Sequence, residues 1–128
     1  MNHFATLFCH AAEPNTQNEL QRQHDLLTQY ANQNGLPIEH CFFHVGSYNF
    51  ENPDDVLLGF LRSAQQADLG LVFIESVSLF PITQQEHIPQ MEVYFVKEGL
   101  RQTIGNADAE IAVDNPQQPG IPFVYWGI

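Results

Sequence analysis

Apolar positions along the chain change period several times, and the changes mark out alternating strands and helices. Phe4 to Cys9 is a short apolar run of strand length, the pattern of a buried parallel strand. From Thr16 the period becomes helical: Leu20, Leu27, Tyr30 and Ala31 recur on one face, and Thr16 and Glu19 have capping-box spacing. Gly35 supplies the C-terminal stop and Pro37 follows it. Ile38 to Val45 reads as a second strand, rich in Phe42, Phe43 and Val45, and Gly46 to Asn52 as a polar loop. Asn52 and Pro53 form an N-cap and first-turn pair, with Asp54 and Asp55 favouring a helix N-terminus. Val56, Leu57, Phe60, Leu61 and Ala64 are the apolar face of that second helix. Leu69 to Ile74 is the most apolar strand, fit for the middle of a sheet. Thr83 and Glu86 repeat the capping spacing, but Pro89 limits that helix to about two turns. Val93 to Val96 is a fourth strand, and Ala109 to Val113 is a candidate for one more.

This order predicts a three-layer α/β fold, with a mostly parallel sheet of four to five strands and helices on both faces. Pro116, Pro119, Gly120 and Pro122 mark a stiff, extended segment. The chain therefore divides into an α/β domain over residues 1–115 and a Pro/Gly-rich tail over 116–128. At 128 residues it has the length of one domain, and its 44% apolar content fits a globular chain. Two cysteines are too few for a disulfide framework. The N-terminus has no Lys or Arg, and its apolar run is short, which argues against a signal peptide. The expected location is cytoplasmic.

Charge alters this picture most. Fifteen Asp and Glu face only Arg22, Arg62, Lys97 and Arg101, for a net charge of −11. Duplex binding is driven largely by cations that displace counterions from phosphates. Four scattered cations do not supply that, so DNA binding is not expected, whereas a basic or neutral protein partner is readily accommodated.

Five segments, in order, resemble the N-terminal catalytic domain of serine recombinases of the resolvase/invertase type. The family's first strand ends in Tyr-x-Arg-Val-Ser, and Phe8-Cys9-His10-Ala11-Ala12 stands there. Its Ser-Leu-x-x-Gln-x-x-x-Leu helix is matched at Leu20, Gln23 and Leu27. Asn52-Pro53 through Leu61 resembles its Arg-Pro-x-Leu-x-x-Leu-Leu helix, and Asp68 through Ile82 its strand and Asp-Arg-Leu-x-Arg loop. Glu92 through Leu100 is similar to its Gly-Val-x-Val-x-Phe-x-x-Glu segment. The resemblance covers about residues 4–100 and implies a resolvase-like fold.

The departures fall on the family's chemistry. There a serine attacks a DNA phosphate and arginines stabilise the anionic transition state. Ala12 stands at the serine position and His10 at the arginine two residues earlier. Asn52 replaces the arginine before the second helix's proline, and the loop arginines fall near Ser78, on Leu79 and Ile82. No Arg or Lys lies between Arg62 and Lys97, so a shifted alignment changes nothing. Losing one transition-state donor typically costs about 100- to 1,000-fold in rate. The resemblance thus implies a degenerate domain that is not an enzyme.

Other readings compete with this one. Cys9, His40, Cys41 and His44 cluster at strand ends and carry ligand types that suit zinc, although strand alternation points neighbours to opposite faces. The plainer reading makes the cysteines core residues, and no metal or cofactor is expected. A hydrolase would draw on Ser47, Ser63, Ser76 or Ser78 with His10 or His44 as base, but no nucleophile elbow or phosphate loop supports it. His10 could instead bind something small at the end of the first strand, where open α/β sheets place ligands. Phe123, Tyr125 and Trp126 are candidate interface anchors; alternatively the tail covers an edge of its own sheet. The expected function is non-catalytic, through protein contacts or self-association. A residual DNA-binding role in recombination is the alternative, and a small-molecule or hydrolytic role in the emptied cleft is the second.

Overall fold

A computed structural model of the chain describes residues 3–12, 16–48, 55–66, 69–80, 87–109 and 124–126. Its elements are β1 (Ala5–Ala11), α1 (Thr16–Gln33), β2 (Ile38–Val45), α2 (Val56–Gln66) and β3 (Leu71–Ile74). A 3-10 turn (Val77–Leu79) follows, then β4 (Met91–Phe95), β5 (Leu100–Ile104) and β6 (Val124–Trp126). Among the described residues the six strands form one sheet in the order β5-β4-β3-β1-β2-β6, parallel throughout except for β5.

The connection through α1 moves one strand to one side of β1, and the connection through α2 crosses back to the other. Two crossovers of the same hand in opposite directions put their helices on opposite faces. The core accordingly falls into two layers. Leu20, Leu27 and Ala31 of α1 cover Ala5, Leu7, Cys9, Phe43, Leu71 and Phe73. On the other face Leu57, Leu58, Phe60 and Leu61 of α2 cover Phe8, Phe42, Val72 and Ile74. Each Leu, Ile, Val or Phe among these contributes roughly 1.5–3 kcal/mol when fully buried. Thr6, the polar break in β1, is buried but satisfied: its hydroxyl donates to the Leu69 carbonyl at 2.7 Å.

The expected architecture is therefore present, with differences at the edges. The sheet has six strands rather than four or five because β5 and β6 join it. β5 (Leu-Arg-Gln-Thr-Ile) is mostly exposed, so it lacks the apolar alternation that announces a strand. It pairs antiparallel with β4 across a turn in which Gly99 adopts φ +63°. The fourth strand starts and ends earlier than expected, because Val96 already belongs to that turn. The N-cap of α2 is Asp55, whose carboxylate accepts the Leu57 N–H at 2.8 Å; Asn52 and Pro53 lie outside the described residues. At the far end of α1, Gly35 N–H donates to Asn32 and Leu36 N–H to Ala31, a Schellman stop. α1 begins at Thr16, and the Glu19 carboxylate holds Arg22 and Gln23. Ala109 is buried outside any strand, and residues 110–113 lie outside the described residues, as do the helix expected at Thr83 and Phe123. β6 lays its backbone along β2, pairing Tyr125 with Phe42 and Trp126 with Phe43. Among the described residues no helix is long and apolar enough to cross a membrane.

Two glycines separate conformational from steric demand. Gly70 has φ +67°, and a Cβ there would collide with the Phe4 carbonyl. Gly35 has φ +70° but open space around it. In urea unfolding Gly70→Ala is expected to lose about 2–4 kcal/mol and Gly35→Ala about 1 kcal/mol. Equal losses at the two positions would contradict the packing described here.

Candidate functional site

The parallel register of β1 and β2 sets His10 beside His44 at the C-terminal end of the sheet. Both belong to the face that α2 covers, because side chains alternate and Phe8 and Phe42 point the same way. The two Nδ1 atoms are 2.9 Å apart, so one must donate to the other. Beyond β2 the chain turns at Gly46, with φ +88°, and its N–H donates to the Ala11 carbonyl at 2.9 Å. This turn returns Tyr48 over both imidazoles. Its ring lies 4.5 Å from His10 and 4.4 Å from His44, at interplanar angles of 20° and 19°. The Tyr48 hydroxyl donates to the Leu79 carbonyl and so ties this loop to the 3-10 turn.

Asp55 completes the constellation. The oxygen that caps α2 also sits 2.8 Å from His44 Nε2. That spacing is an ion-pair distance, but the ring N–H is poorly aligned for a straight hydrogen bond. A lone pair facing a carboxylate this closely would be repelled, which places the His44 proton on Nε2. His44 Nδ1 is then the acceptor, His10 Nδ1 the donor, and His10 Nε2 carries a lone pair. His10 lines an open cavity of about 380 Å³ with Ala12, Gly46, Ser47 and Tyr48, and Nε2 is its ring nitrogen outside the His10–His44 contact.

Burial decides the charge state. It lowers the His10 pKa to about 4, with the neighbouring His44 adding to the effect and Asp55 opposing it. His44 is also lowered, chiefly by burial, although Asp55 pulls the other way. Burial, assisted by the Asp55 charge, pushes the Tyr48 hydroxyl well above its ordinary range. At neutral pH both imidazoles are uncharged and Tyr48 keeps its proton.

The other face of β1 is gripped from α1. The buried Gln23 amide donates to the His10 carbonyl at 2.6 Å and accepts the His10 N–H at 2.9 Å. Glu19 holds the same amide at 2.8 Å and pairs with Arg22 at 2.6 Å. Arg22 also binds Glu75 through two contacts of 2.6 and 2.8 Å. A second cleft of about 490 Å³ opens there, lined by Arg22, Tyr30, Glu75, Ser76, Ser78 and Lys97 among others. Its arginine is thus already committed to two carboxylates.

The sequence candidates are divided by this geometry. Cys9 and Cys41 face α1, and their contact, together with burial, pushes the Cys9 thiol far up. His40 and His44 stand on the other face, about 13 Å apart along the strand from the spacing of four residues. The four metal candidates therefore do not converge, and among the described residues no group of three ligating side chains gathers. Ala12 is exposed at the cavity. Ser78 and Leu79 lie in the 3-10 turn, linked to the imidazoles through Tyr48; Asn52 and Ile82 lie outside the described residues. Of the serines, Ser47 lines the cavity and Ser63 is buried in α2. Ser76 caps the 3-10 turn and donates to Glu98 at 2.8 Å. Tyr48 and Asp55 are site residues that the sequence reading does not single out. Tyr48 shares its polar loop with a second aromatic, Phe50, so nothing local marks it, and Asp55 is visible only as a helix-start charge.

Folding of the native chain resists protonation of these imidazoles, because their folded pKa lies below the ordinary value of about 6.5. Stability is therefore complete above about pH 6.5 and falls as pH drops through 6.5 toward 4. Urea midpoints measured across that range should fall less steeply in His10→Phe. Tyr48→Phe keeps the stack but removes the bond to Leu79 and should cost about 1 kcal/mol at neutral pH. Midpoints independent of pH between 6.5 and 4 would contradict the site as described.

No family model matches the sequence, and no curated protein matches it. Among solved structures, the chain is similar to the C-terminal catalytic domain of ISC1926 TnpA, an IS607-like serine recombinase. Identity is 20%, the TM-score is 0.44, and the match covers 59% of this chain and 52% of the other. The match thus takes in about half of that chain.

Proposed function

We propose that this chain is a recombinase-like domain that does not cut or join nucleic acid and acts through contacts with protein. The observation that carries the reading is the lining of the cavity at the end of β1. Ala12, with no nucleophilic atom, stands beside a neutral His10, and the described lining contains no Arg or Lys. Phosphoryl transfer needs a nucleophile and groups that neutralise developing anionic charge. This cavity instead has the Asp55 carboxylate behind its imidazoles. On the α1 side, Arg22 is shared between Glu19 and Glu75. With a net charge of −11, the chain favours a basic or neutral protein surface over a phosphate backbone.

The test is binding to a labelled random-sequence duplex at low and physiological salt, with a nicking assay on supercoiled plasmid alongside. Low salt is the most generous condition for phosphate attraction. The expected result is no complex at either salt and no nicked product. Micromolar binding with a steep salt slope would favour a DNA-side role, and nicking would overturn the proposal outright.

A further inference from the structure

We propose that the cavity at the end of β1 is a binding site for a primary ammonium group, with His10 Nε2 accepting one of its N–H bonds. The polarity of the site follows from the order of its hydrogen bonds. The nearby Asp55 carboxylate favours the His44 proton on Nε2, His44 Nδ1 receives the His10 Nδ1–H, and the order leaves a lone pair on Nε2 of His10, a residue that lines the cavity. A site that offers an acceptor selects a ligand that donates. The charge behind that acceptor selects its sign: Asp55 is buried 2.8 Å from His44 Nε2, and the described lining has no cation to offset it. An anion such as phosphate would meet a lone pair backed by a carboxylate. A metal ion would find no group of three ligating side chains among the described residues.

The rest of the described lining suits a short alkyl chain. Ala12 and Gly46 leave room, the Tyr48 ring offers an apolar surface, and the Ser47 hydroxyl supplies a second acceptor on the same lining. The acceptor is also held in place before any ligand arrives. Tyr48 stacks on both imidazoles, and Gln23 grips the backbone of His10 from the opposite face of the sheet. A rigid acceptor loses little freedom on binding. Because the pair is uncharged at neutral pH, it does not repel an incoming cation. The inference stands on the cavity and not on the protein-contact reading; DNA binding by the chain would overturn that reading and leave this one intact.

The test follows backbone amide shifts of the full chain at pH 7.5 during titration with n-butylammonium chloride at constant ionic strength. Saturable shifts at Gly46, Ser47 and Tyr48 are expected, half-complete on the order of millimolar for so small a ligand. Tetramethylammonium has the same charge and no N–H, so it should give no saturable shift, and neither should sodium phosphate. Ala12→Leu fills the cavity from an exposed position that leaves the core untouched, and it should weaken binding at least about tenfold. His10→Phe keeps a ring against Tyr48 but removes the acceptor, and should do the same. Absence of saturation, equal shifts with tetramethylammonium, or full binding by folded Ala12→Leu would each overturn the proposal.

Discussion

Everything at the candidate site depends on the register in which β1 and β2 run side by side, with His10 opposite His44. A slip of one residue would send one of the two imidazoles to the α1 face, since side chains alternate along a strand. The register is held by the apolar pattern: Phe8 and Phe42 must face α2 while Cys9 and Phe43 face α1. It is secured at its end by Gly46 bonding back to Ala11 and, from α1, by Gln23 bonding both backbone groups of His10. The same burial that stabilises the core therefore sets two titratable rings at hydrogen-bond distance.

Placing them there creates a contest between desolvation and attraction to Asp55. Both imidazoles shift downward, so desolvation wins even with a carboxylate 2.8 Å away. Asp55 can serve the imidazole and the helix together because α2 begins beside the end of β2. One oxygen caps the helix and faces His44, which couples the start of α2 to the protonation of the pair. Tyr48 extends that coupling to the 3-10 turn through Leu79. The outcome is a pair of uncharged imidazoles, ordered by one donor and one acceptor, with a carboxylate behind them.

Much of the fold was legible because it rests on local period. The buried strand Leu71–Ile74, the half-buried strand Ile38–Val45 and the amphipathic faces of both helices are written in their apolar spacing. β5 was not legible, since an edge strand that is mostly exposed has no apolar face to display. β6 follows a Pro-rich stretch that hides it in the sequence, and it pairs parallel with the edge of β2. At the site, His10 and His44 were visible as unusual residues near strand ends, but their pairing required the register. Asp55 was read correctly as a helix-start charge, and its second role toward His44 arises from tertiary structure alone. Tyr48 was hidden for the same reason: nothing local indicates that its ring returns across both imidazoles.

The central claim is the order of protons from Asp55 through His44 to His10, and the most direct measurement of it is the ring nitrogen spectrum of 15N-labelled protein at pH 7. Each tautomer and the charged form have distinct shifts and ring-proton couplings. Two neutral rings are expected, with His44 protonated at Nε2 and His10 at Nδ1. A proton on His44 Nδ1, or a charged ring at either position, would contradict that claim.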